Sequence, residues 1–141
     1  GGDKIADILN QTSEDEAASY LNQLMTDDPV TYAEVKKYLL TFDDLISMTE
    51  EVASDFWSNP DIDLDSLAKA LKGVEQDTTS AIIEMLPKKK QAMFTPIEKP
   101  MRKKDVMSAR KDIVKIATDM TNSGEMRIED ILSGADDEMI E

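Results

Sequence analysis

A chain of 141 residues, 40% of them apolar, suits one medium domain or two small ones with a modest core. It contains no Cys and no His, which excludes disulfides, thiolate metal sites and the commonest general base, and its net charge of −14 argues against nucleic acid as a partner. With only one Trp, three Tyr and three Phe, packing falls to Leu, Ile, Met and Ala, a set that favours helices. No apolar run reaches the 18 residues of a membrane span and no signal peptide is visible, so a cytoplasmic origin without membrane insertion is expected. The first residue is Gly rather than Met, which reads as a piece of a longer chain.

Gly1-Gly2 is either a cloning scar or a flexible linker. Ile5, Ile8 and Leu9 then share a short helical face. Ser13 with Glu16 fits a capping box, ahead of a stripe formed by Ala17, Tyr20, Leu21, Leu24 and Met25. Asp28 and Pro29 stop that helix and start the next, whose face is Tyr32, Val35 and Leu39. Three short helices with tight turns look like one helical-repeat unit, which cannot bury its faces alone. One helix should end near Leu40 and another begin near Phe42, with Thr41 as N-cap and Asp44 at N3. This junction is either a hinge or a plain helix corner.

Thr49 caps a helix carrying Val52, Ala53, Phe56 and Trp57. The run Asp61 to Asp65 invites a calcium reading but fails as an EF-hand loop, with Ser66 where Gly is needed and Lys72 where Glu is needed; Asp63 is better read as the cap of a helix over Leu64–Lys72, closed by Gly73. Thr78–Leu86 is a further helix, and Pro87 opens another that Pro96 ends or kinks. The longest helix is expected from about Lys104 to Asn122, with Val106, Ala109, Ile113, Ile116, Ala117 and Met120 inward and Gly124 as its stop. Ile128, Ile131 and Leu132 suit one more turn, followed by an acidic tail from about residue 133, frayed from Asp136 to Glu141. No stretch alternates with period two, so the fold expected is all-α: an armadillo-like helical-repeat unit over 1–41, joined by a short hinge to a C-terminal multi-helix domain over 42–141.

Catalysis is not expected. Adjacent carboxylates such as Asp43-Asp44 and Glu50-Glu51 point about 100° apart on a helix and sit at helix starts, and the five glycines form no phosphate loop. No metal or cofactor is implied. What stands out is Lys88–Lys111, which holds nine of the sixteen Lys and Arg against two acids, Glu98 and Asp105. It reads as a solvated face, as a nucleic-acid site lacking interleaved aromatics other than Phe94, or as a docking face for an acidic partner. Arg110 and Lys111, on the last long helix, are expected to be simply solvated.

Residue order adds a resemblance. Gly1-Gly2, Ala6-Asp7-Ile8-Leu9-Asn10 and Thr26-Asp27-Asp28-Pro29 resemble the linker and helical-repeat unit of the flagellar motor switch protein FliG family. The family's hinge reads Met-Phe-x-Phe followed by Glu-Asp; Leu39-Leu40-Thr41-Phe42-Asp43-Asp44 keeps the last Phe and the acids but not the Met or the first Phe. Leu67-Ala68-Lys69-Ala70-Leu71-Lys72-Gly73 is similar to the family's Leu-Ala-x-Ala-Leu-Lys-Gly. Asp105-Val106, Ala109-Arg110, Ile113-Val114-Lys115-Ile116 and Gly124-Glu125-Met126 resemble its last long helix and ending.

The resemblance covers nearly the whole chain. It implies a rotor component of the flagellar switch complex, or C-ring, at the cytoplasmic face of the inner membrane. Implied partners are the stator's cytoplasmic loop, other rotor switch proteins, and neighbouring subunits stacked through the helical repeat; the implied work is torque and direction switching. Lys72, Lys89 and Arg102 fall where the family has functional basic residues, and Leu39, Leu40, Thr41 and Phe42 would be the hinge, with Gly1 and Gly2 a flexible linker. The family's acids should fall near Pro96–Glu98, where Glu98 is the only one present, so the charge pattern departs from the family there. The alternative is a divergent helical adaptor outside the motor that binds an acidic protein through its basic surface.

Overall fold

The computed structural model describes residues 1–136, and every regular element among them is a helix. The chain divides into two compact units, Gly1–Leu40 and the part from Thr41 onward.

The first unit holds α1 (Gly2–Asn10), α2 (Glu14–Asp27) and α3 (Pro29–Lys36). The Ser13 hydroxyl accepts the Glu16 amide at 3.3 Å, which is the one half of the expected capping box that forms. Asp28 caps α3 twice, accepting the Thr31 amide at 3.2 Å and the Thr31 hydroxyl at 2.6 Å, with Pro29 opening the helix. The core is Ala6, Leu9, Leu21, Val35 and Leu39, flanked by Ile5, Ala17, Leu24 and Tyr32.

Three expectations change here. Gly2 is no linker: it is the first residue of α1 and is buried, and a Cβ on it would lie 2.5 Å from the Glu34 carbonyl oxygen. Tyr20 and Met25 leave the α2 stripe for solvent, because Ala17, Leu21 and Leu24, spaced four and three apart, fill the narrow face against α3. Finally, α3 stops at Lys36 rather than near Leu40. Leu39 and Leu40 are both buried, and Thr41 takes the extended conformation of an N-cap (φ −121°, ψ 164°), so the backbone leaves the helix before them.

The second unit contains α4 (Phe42–Ile46), α5 (Glu50–Trp57), α6 (Leu64–Ala70), α7 (Gln76–Met85), α8 (Lys88–Met93), α9 (Lys103–Asn122) and α10 (Ile128–Asp136). Thr41 and Asp44 form a complete capping box, with the Asp44 amide 3.3 Å from the Thr41 hydroxyl and the Thr41 amide 2.8 Å from the Asp44 carboxylate. Asp63 caps α6 through the Ser66 amide at 2.9 Å. Helix α6 packs along α9, which turns Val106, Ala109, Ile113, Ala117 and Met120 inward. Phe56 and Trp57 meet edge to face, ring centroids 4.8 Å apart, and both are fully buried. Gly73 and Gly124 take left-handed conformations (φ 78° and 85°) in the turns after α6 and α9.

Helix α10 is longer than the single turn expected and runs past residue 133, where the sequence predicts the start of the tail. It is held by Gly134, whose absent Cβ would lie 2.0 Å from the Ser47 carbonyl oxygen, and by the fully buried Ile131. The rest of the expected acidic tail, residues 137–141, lies outside the described residues. None of the described helices is long and apolar enough to cross a membrane.

Candidate functional site

The basic island is not one surface. Helix α8 opens after Pro87 and ends at Phe94, whose extended backbone (ψ 130°) leads to Pro96. An irregular link carrying Pro96 and Pro100 then runs to α9.

Three cations in and beside the island turn inward to main-chain carbonyls. Lys90 donates from Nζ to the Pro60 carbonyl at 2.6 Å and to the Ile62 carbonyl. Gln91 adds bonds to the carbonyls of Glu84 (2.9 Å) and Leu86 (2.8 Å), so α8 is pinned on two sides. The Asp61–Asp65 stretch thus meets a cation of the chain's own, through main-chain oxygens rather than carboxylates. Lys72, just past α6, donates from Nζ to the Ile97 carbonyl at 2.9 Å.

Arg110 corrects an expectation. Far from being solvated, it donates from Nε to the Ala70 carbonyl at 2.9 Å and from Nη2 to the Lys72 carbonyl at 2.7 Å, while its guanidinium lies 5.0 Å from the centre of the Phe42 ring. The cause is the end of α6 and the turn that follows it, whose carbonyls lack helical partners and face α9. The forked donor set of an arginine satisfies two of them at once. One sequence signal pointed there: Arg110 stands four residues after Val106 and three before Ile113, on the buried stripe of α9. Nearby, Asp65 and Lys69 pair at 3.0 Å, and this hydrogen bond, followed by the charge of Asp65, raises the Lys69 pKa.

Lys89, Glu98 and Arg102 behave differently. All three are exposed, and their side chains make no hydrogen bond or ion pair among the described residues. Of the four contact positions singled out from sequence, the structure links Lys72 to the neighbourhood of Glu98 through Ile97; it shows no bond joining Lys89 or Arg102 to that pair. In the expected hinge, Leu39, Leu40 and Phe42 are buried and Thr41 caps α4. No cluster of three or more carboxylates suited to a metal ion occurs among the described residues.

The chain is all-helical among the described residues, with exposed cations on α8 and just before α9. The model of the FliG C-terminal domain family matches residues 22–128, and the chain belongs to that family. The flagellar motor switch protein FliG of Borreliella burgdorferi is 26% identical over 131 residues, covering 91% of this chain and 38% of that protein. The Agrobacterium fabrum FliG is 24% identical over 135 residues, covering 93% and 38%. A crystal structure of a FliG segment from H. pylori shares the fold, with a TM-score of 0.57 at 20% identity, over 90% of this chain and 60% of that one. The chain thus spans 38% of the length of the curated relatives it matches.

Proposed function

We propose that this chain is part of a flagellar rotor switch component, and that it meets an acidic or mixed-charge segment of the stator's cytoplasmic loop through Lys89, Glu98 and Arg102. The observation behind the surface assignment is that these three side chains are exposed and make no hydrogen bond or ion pair among the described residues, whereas Lys72, Lys90 and Arg110 are tied to carbonyls. Charges free of internal bonds give charge complementarity its steering and register. Lys72 belongs to the same surface as a support rather than as the charge a partner meets.

On this proposal residues 1–41 form an armadillo-like unit that stacks on a neighbouring subunit, Leu39–Phe42 act as the hinge, and other rotor switch proteins complete the assembly at the cytoplasmic face of the inner membrane. The test is a Lys89→Glu/Arg102→Glu double variant in the flagellated host. Flagella should assemble while swimming is lost or reduced at least tenfold, and Lys89→Arg should swim normally. Normal swimming by the double charge reversal would remove the stator contact. That outcome would favour the second reading, a helical adaptor outside the motor, which the lone Glu98 in place of the family's acids already supports.

A further inference from the structure

Glu98 lies between Pro96 and Pro100 in a link with no helical hydrogen bonding, and its exposed side chain makes no bond among the described residues. A contact charge on such a link has a defined position only where something outside the link holds it. Lys72 does so, through the 2.9 Å bond from its ammonium to the Ile97 carbonyl. A lysine is a poor anchor by itself, since a flexible four-carbon stem must be ordered to make a single bond. Here the base of that stem is fixed: the Lys72 carbonyl accepts from Arg110 at 2.7 Å, and Arg110 also holds Ala70 and lies over Phe42. Phe42, Arg110, Lys72 and Ile97 form one continuous chain of contacts, from the first residue of α4 to the residue preceding Glu98.

We infer that Arg110 is a positioning residue for the contact surface: by clamping the Lys72 main chain it aims the Lys72 ammonium at Ile97, and so sets where Glu98 is presented. The bland alternative is that Arg110 merely caps α6. The two differ in what the link feels. A cap contributes to overall stability and leaves residues 97–99 alone, whereas a clamp loosens them when removed, and does so only through Lys72. The inference rests on the contact-surface proposal for its functional meaning, but its structural part stands or falls separately.

The experiment is backbone NMR relaxation on the full 141-residue chain and its variants, together with the Ile97 carbonyl shift. In the unaltered chain the order parameters at Ile97, Glu98 and Lys99 should be about 0.85, falling below about 0.6 in Lys72→Met. Arg110→Met should produce the same fall and move the Ile97 carbonyl shift toward its Lys72→Met value. The Lys72→Met/Arg110→Met pair should show no further change in the link. Arg110→Lys keeps the charge with one donor group in place of the fork, holds the fold if Arg110→Met does not, and should give intermediate values. Order parameters and an Ile97 shift that stay at their original values in Arg110→Met, or in Arg110→Lys where the former is unfolded, would overturn the inference and leave Arg110 a helix cap. A loosened link with undiminished swimming would support the clamp and count against the stator-contact proposal instead.

Discussion

The two units treat their apolar residues in opposite ways. From Thr41 onward, Leu45, Phe56, Trp57, Ile62, Leu67, Ile113 and Ile131 are each 1% exposed or less. Within Gly1–Leu40 the core is five residues, while Ile8, Tyr20, Met25, Val30 and Tyr38 face solvent, Val30 at 75% and Ile8 at 65%. Chains of about 40 residues lie at the lower limit for a self-sufficient core, and this one leaves as many large apolar side chains out as it encloses. The second unit encloses the larger core, with Met93 its one exposed large apolar side chain among the described residues; the exposed apolar side chains of the first are what the proposed stacking would cover. Truncation should expose the contrast. Trp57→Ala should lose about 3–5 kcal/mol in urea unfolding followed by far-UV circular dichroism, and Leu21→Ala a loss near the lower end of about 2–5 kcal/mol, because a thin core relaxes around the void. Equal losses would erase the distinction.

Two glycines sharpen it at the next level of effect. Both are helical, and both sit where a Cβ would strike a carbonyl oxygen of another segment: Gly134 at 2.0 Å from Ser47, Gly2 at 2.5 Å from Glu34. Backbone cannot swing aside as a side chain can. Gly134→Ala must therefore push α10 off the turn after α4 and disturb Ile131, at a cost of about 1–3 kcal/mol, as for other overpacked sites. Gly2→Ala meets the same obstacle at the first turn of α1, where a helix end can fray instead, and should fall below Gly134→Ala in the same urea titration. A larger loss for Gly2→Ala would mean that α1 is held more firmly than the small core suggests.

The elements were legible in the sequence because their signals are local. Ser13, Asp28, Thr41 and Asp63 were readable as caps from the one to three residues that follow each, and the α9 stripe from its own spacing. Membership of the FliG C-terminal domain family was legible from ordered short matches, Leu67–Gly73 above all. The partition of the basic island was not. Lys72, Lys90 and Arg110 all end on main-chain carbonyls 25 to 40 residues away. Every residue carries such an acceptor, so no residue type marks it. A cation tied to a carbonyl therefore looks, in sequence, the same as a cation left for a partner. The early end of α3 was hidden for a related reason: burial of Leu39 and Leu40 overrode a pattern that continues through them.

The smallest effect separates the units by pH. In the first, the Thr31 hydroxyl and then the Thr31 amide, both bonded to Asp28, lower the Asp28 pKa. A folded pKa below the unfolded value, about 3.9, means that the stabilisation is complete above that value and is lost as pH falls through the folded one. In the second, Asp65 raises the Lys69 pKa, so that contribution is complete below the unfolded value of about 10.4 and is lost as pH rises through the folded one. Acid therefore probes the Asp28 cap, and alkali the Lys69–Asp65 pair. The stability difference between the unaltered chain and Asp28→Asn should be constant from about pH 7 to 5 and shrink below about pH 4, since a protonated Asp28 resembles Asn in charge. The difference for Lys69→Gln should be flat over that range and shrink above about pH 10.5. Both groups are exposed, so each shift will be slight, and urea midpoints at matched ionic strength are the measurement with enough resolution. An Asp28→Asn difference that persists unchanged into acid would show that Asn caps α3 less well for reasons other than charge, and that the acid side of the stability profile is set elsewhere.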